Sequence, residues 1–96
     1  MPTTRRDLPA AERRAAVFKA LGDPKRLRMV DFLRKHGGEA TGTELAQDAG
    51  ISLALLCHHA DALVDSGIVR KRKEGQTSYW TLDREALSAA LRNLGA

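Results

Sequence analysis

The sequence predicts a mainly α-helical domain of four helices, a β-hairpin and a C-terminal helix. Three observations carry this reading. Capped segments, most with apolar residues at helical spacing, fill the chain as far as residue 66. Two runs of strand-type residues then meet at Glu74-Gly75-Gln76. A last helical stripe follows Asp83.

Residues 1–7 are polar and are expected to be disordered. The first helix is predicted over residues 8–21, with apolar residues at Leu8, Ala11, Ala15, Phe18 and Leu21, and Gly22 stops it. Asp23 caps a second helix with Pro24 at its first position. Its predicted stripe is Leu27, Val30 and Leu33, widened by Met29 and Phe32, and His36-Gly37-Gly38 ends it. Thr41-Gly42-Thr43-Glu44 has the form of a capping box, placing a short third helix near residues 42–48. Gly50 allows a tight turn. Ser52 then caps a fourth helix to about residue 66, with Leu53, Leu56, Ala60 and Leu63 predicted inside and Gly67 closing it. The hairpin strands are Ile68 to Lys73 and Thr77 to Leu82. Asp83 caps the last helix, predicted to run to residue 94 with Leu87, Ala90, Leu91 and Leu94 as its stripe.

At 96 residues the chain is one domain with a thin stability margin, so pairing of two copies is a natural way to enlarge the core. Hydrophobic residues at 43% and charged residues at 29% describe an ordinary globular composition. No apolar run approaches the roughly 20 residues of a membrane span, and the arginines near the start have no apolar stretch behind them. No membrane association and no secretory signal are expected. A single cysteine, Cys57, excludes an intrachain disulfide framework and fits a reducing cytoplasm. The net charge of +4 permits a polyanionic partner, and its placement has to decide.

The placement is informative. Arg70, Lys71, Arg72 and Lys73 are four consecutive cations beside the hairpin turn. Strand residues alternate faces, so two cations point to each side. A projecting wing, wet on both faces, could place such a run along a phosphate backbone, with Gln76 at the turn joining the contact. The third and fourth helices, joined at Gly50, read as a helix-turn-helix that sets its second helix in the major groove of double-stranded DNA. The whole is therefore predicted to be a winged helix-turn-helix.

A family resemblance adds to this. Phe18 to Val30 resembles the opening segment of ArsR/SmtB-family repressors. Glu44-Leu45-Ala46 through Gly50-Ile51-Ser52 looks like the start of their helix-turn-helix, and His58 to Val69 resembles the rest of it. Gly75, Tyr79 and Leu82 fall where that family's wing has its turn glycine, its aromatic and its closing leucine. The resemblance covers about residues 15–90 and implies a homodimer, joined by its first and last helices, that represses transcription from an operator. The dimer residues would be Leu8, Ala11, Ala15, Phe18, Leu87, Ala90, Leu91 and Leu94. The family's metal ligands are missing: the third helix begins Thr41-Gly42-Thr43-Glu44 without a thiol, and the last helix has no histidine. No metal, cofactor or inducer is indicated.

By helical angle, Ala54, Leu55, His58, Asp61 and Ala62 face away from the predicted core stripe of the fourth helix. His58 can donate to phosphate or guanine, Leu55 can touch a thymine methyl, and Ser52 can bond a phosphate or simply cap the helix. His59 lies at the edge of the stripe, where a bond to backbone or carboxylate is expected. Cys57-His58-His59 cannot converge on one ion, because neighbouring helix positions point about 100° apart. Nor is a base oriented toward the thiol, so no enzyme is expected. Cys57 stays a candidate redox thiol against the plainer reading of a space-filling residue. Two rival readings of the whole chain remain: a winged helix that binds protein, favoured by Leu53, Leu55, Asp61 and Asp65, and a sensor with a non-standard redox or metal site.

Overall fold

The computed structural model describes residues 9–92. The elements are α1 (Ala10–Leu21), α2 (Pro24–Lys35), β1 (Glu39–Thr41), α3 (Gly42–Ala49), α4 (Leu53–Asp65), β2 (Val69–Glu74), β3 (Thr77–Leu82) and α5 (Arg84–Leu91). Leu8, Leu94 and residues 1–7 lie outside the described residues.

The helix starts are set by local chemistry. The Asp23 side chain accepts from the amides of Lys25 and Arg26, with Pro24 at the first helical position of α2. Thr41 and Glu44 complete a reciprocal capping box on α3. Ser52 caps α4 through the Leu55 amide, and Asp83 caps α5 through the Ala86 amide.

The strands form a three-stranded antiparallel sheet in the order β1-β3-β2. The expected hairpin is present, with Gly75 at a φ of 61° in its turn. The strand β1 was not expected. The three residues after Gly38, the last of them the cap of α3, are too few to show a period, yet they pair with β3 as Glu39 with Thr81, Ala40 with Trp80 and Thr41 with Tyr79. The root of the hairpin is thereby tied into the body, and β3 becomes the central strand.

Trp80, Met29, Leu33, Leu45, Leu56, Leu63, Ile68 and Val69 are the largest fully buried side chains. They gather α2, α3, α4 and the sheet around one core. Three predicted stripes are corrected by this packing. In α1 the buried residues are Val17 and Ala20, with Leu21 packed against the core, while Ala11, Ala15 and Phe18 are exposed. This helix is apolar on more than one side, so spacing alone admitted two faces. In α2 the buried face is Met29, Val30 and Leu33, and Leu27 turns outward. In α4 Leu56, Ala60 and Leu63 are buried as expected, but Leu53 is exposed and His59 is buried in its place.

Helix α5 is shorter than expected, since Arg92 already has extended dihedrals. Its Leu87 and Ala90 point into the chain's own core, and Leu91 stays exposed. Arg14 ties α1 to the end of this helix, its Nε and Nη2 each donating over 3.1 Å to the carbonyls of Ala90 and Arg92. A cation is well placed at the carbonyls of a helix end.

Candidate nucleic-acid interface

Helices α3 and α4 meet through Gly50, Ile51 and Ser52. Gly50 holds a φ of 68°, the left-handed conformation that glycine adopts without strain, and ends α3. Two braces from α2 fix this turn. Lys25 Nζ donates over 2.8 Å to the carbonyl of Ala49, and Arg28 pairs with Asp48 at 3.1 Å. A third brace reaches under α4: Arg26 Nε donates over 3.1 Å to His59 Nδ1. The partner of His59 is thus a guanidinium, not the backbone or carboxylate expected.

Held in this way, α4 turns Ser52, Ala54, Leu55, His58 and Asp61 to solvent, while Ala62 is half-buried. The Ser52 oxygen is engaged in capping. The ring of His58 lies 5.9 Å from that of His59, tilted against it. Cys57 is half-buried against the core, at the margin of the exposed face. Among the described residues no group of three or more His, Cys, Asp or Glu is arranged to hold a metal ion. None of their helices is long and apolar enough to cross a membrane.

The four cations of β2 alternate as expected, but the two sides differ in chemistry. Arg70 and Arg72 lie on the face of β2 that carries Thr81 and Tyr79 on β3. Arg70 reaches Asp83 at 3.7 Å. Arg72 stacks over the Tyr79 ring at 4.3 Å and pairs with both Glu39 and Glu74. The Arg72 guanidinium, helped by the Thr81 hydroxyl, holds the Glu39 carboxyl below the ordinary carboxylate range, and the hydrogen bonds to Glu39 and Glu74 raise the pKa of Arg72. The opposite face carries Lys71 and Lys73. Lys71 Nζ sits 5.4 Å from the centre of the buried Trp80 ring, and Lys73 is exposed. Neither lysine has a carboxylate partner among the described residues. Gln76 is exposed in the turn. Of the carboxylates that occupy the arginines, Glu39 was not foreseen because it belongs to the short strand β1, which was itself not expected.

The residues expected at a chain–chain interface divide. Ala11, Ala15, Phe18 and Leu91 are exposed, whereas Leu87 and Ala90 are buried within the chain and have little surface left to offer. An open groove runs between α1, α5 and the base of β2, lined in part by Arg13, Arg14, Val17, Ala86 and Ala89.

Comparisons with known proteins agree with this geometry. The family model for bacterial regulatory proteins of the arsR family matches residues 23–71. The chain is 31% identical over 75 residues to the transcriptional repressor SdpR of Bacillus subtilis, covering 78% of this chain and 81% of that one. It is 34% identical over 80 residues to an arsenical resistance operon repressor of Staphylococcus xylosus, covering 83% and 75%. Among solved structures, a homodimeric winged helix-turn-helix DNA-binding domain from Mycobacterium bovis superposes with a TM-score of 0.73 at 31% identity, covering 84% of this chain and 75% of that one. The matched segment spans the helix-turn-helix with its braces and reaches Lys71 in the wing, and the chain belongs to the ArsR family of bacterial regulatory proteins.

Proposed function

We propose that the chain is a dimeric transcriptional repressor that acts in the cytoplasm and binds a pseudo-palindromic DNA operator. Helix α4 enters the major groove by its N-terminal half, and the β2–β3 wing lies along the adjacent phosphate backbone. The two-fold pairing of α1 and α5 faces sets two recognition helices about 34 Å apart.

One observation carries the reading. The lysine face of the wing, without a carboxylate partner among the described residues, and the outward face of α4 flank a helix-turn-helix braced by three separate contacts. Rigid presentation matters because a reading helix must keep its register against the base edges. The repressors and the homodimeric domain to which the chain is similar support the same conclusion.

The experiment is a salt titration of DNA affinity on the purified chain, with its mass measured in solution. A dimer whose log affinity falls steeply with log salt is expected. A second reading, a winged helix that binds protein, is favoured by the exposed Leu53 and Leu55 and by Asp61 and Asp65 on α4. A monomer, or DNA binding that is weak at low salt and flat with salt, would favour that reading.

A further inference from the structure

The first two turns of α4 carry no side chain that reads a purine by paired hydrogen bonds. Guanine is read in that way by Arg or Lys, and adenine by Asn or Gln. Residues 52–59 are Ser, Leu, Ala, Leu, Leu, Cys, His and His. Leu53 and Leu55 stand outward, 53% and 42% exposed, with Ala54 between them and His58 one turn on. Leu53 is steadied where it stands. Its Cδ1 lies 3.0 Å from the point a Cβ on Gly42 would occupy, so it leans over the start of α3.

The charges around this apolar end indicate what covers it. On α4 the acids Asp61 and Asp65 sit in the C-terminal half, away from Leu53 and Leu55. The N-terminal half carries no acid and has the positive end of the helix dipole. The lysines without carboxylate partners lie on the neighbouring wing. A polyanion is therefore met by the apolar end of the helix, and the apolar group that DNA presents in its major groove is the thymine 5-methyl.

We propose that α4 recognises its operator mainly by apolar contact. Leu55, with Leu53 and Ala54 beside it, receives thymine 5-methyl groups, so the half-sites carry thymine under the first turn of the helix. This rests on the DNA-binding reading above. It names the chemistry by which that surface discriminates.

The test separates the two. Duplexes are selected by the full chain from a random pool, and the winner is made again with deoxyuridine for thymidine, which removes only the methyl groups. Wild-type affinity should fall about three- to fivefold for each contacted methyl lost. Leu55→Ala, at a solvent-exposed helical position, should keep the melting temperature, bind the thymidine duplex more weakly, and lose much of the preference for it over the deoxyuridine duplex. Equal wild-type affinity for the two duplexes overturns the proposal and leaves DNA binding standing. Full discrimination retained by both Leu53→Ala and Leu55→Ala overturns it as well. A pool from which nothing is enriched, with no salt-dependent binding to any duplex, overturns the DNA-binding reading and this proposal with it.

Discussion

Arg72 on β2 grips Glu39 on β1 across the strand between them, with Nη2 2.8 Å from Oε1 and Nε 3.2 Å from Oε2. The guanidinium is thereby turned back toward the body of the protein and away from any partner. The wing's four cations thus overstate what it can offer to phosphate.

Neutralising the lysine face should therefore cost more DNA affinity than neutralising the arginine face. A Lys71→Gln/Lys73→Gln protein should lose affinity on all sequences alike, and the salt slope of the dimer, which presents two wings, should flatten by about four units. An Arg70→Gln/Arg72→Gln protein should change the slope by less, because its side chains already have counter-ions in Asp83, Glu39 and Glu74. Fluorescence anisotropy at several salt concentrations reads both. Equal slopes in the two variants would contradict the division of the wing into a free and an occupied face.

The same grip makes the root of the wing sensitive to acid. Glu39 has its pKa lowered from 4.5 in the folded chain, first by the hydrogen bonds from Arg72 and then by that from Thr81. A lowered carboxylate pKa stabilises the folded state above the unfolded value and ceases to do so as pH falls through the folded value. Wild type should melt above Glu39→Gln at neutral pH, and the gap should close as pH drops below 4.5. Thermal unfolding of both proteins across that range checks it; a gap independent of pH would contradict it.

Gly42 sits where no side chain fits. A Cβ there would lie 2.9 Å from Trp80 Cζ3 and 3.0 Å from Leu53 Cδ1. The leucine is half free and can yield, but the Trp80 ring is buried and cannot. Gly42→Ala should destabilise the fold by about 1–3 kcal/mol. Adding Leu53→Ala should recover only part of the loss, since it relieves only the softer contact. Full recovery in the double variant would show that Trp80 is not the obstacle.

Phe18 and Leu87 should respond differently to substitution although both were expected at one interface. Phe18 is 38% exposed on α1, whereas Leu87 belongs to the core. Phe18→Glu should give a folded monomer by light scattering and circular dichroism. Leu87→Ala should instead destabilise each chain by about 2–5 kcal/mol. A Phe18→Glu protein that remains dimeric would move the interface off the outer face of α1.

What the sequence disclosed follows the range of the interactions involved. The caps at Asp23, Thr41, Ser52 and Asp83 were all legible, because a cap is made within three residues of the chain. The outward set of α4 was legible from angle alone as far as Ala54, Leu55, His58 and Asp61. Leu53 was misplaced because helical angle does not show how far neighbouring elements extend; its side chain reaches α3 only at Gly42, eleven positions earlier, and stays exposed. The faces of α1 and α2 were shifted because both helices hold more apolar residues than one face can bury. The pairing of Arg72 with Glu39 was illegible, since 33 residues separate them and β1 has no pattern of its own. His59 did signal itself, as a polar ring beside a core stripe that required a partner. Its partner, Arg26, was not identifiable without the packing of α2 under α4.

The clamp from Arg14 has a consequence for how the chain is made. Its two acceptors, the carbonyls of Ala90 and Arg92, lie 76 and 78 residues downstream. During translation α1 emerges first and waits for its companion until α5 has left the ribosome. The α1–α5 face on which two copies are proposed to meet is then complete only once α5 has folded. A product cut short before α5 lacks half of that face.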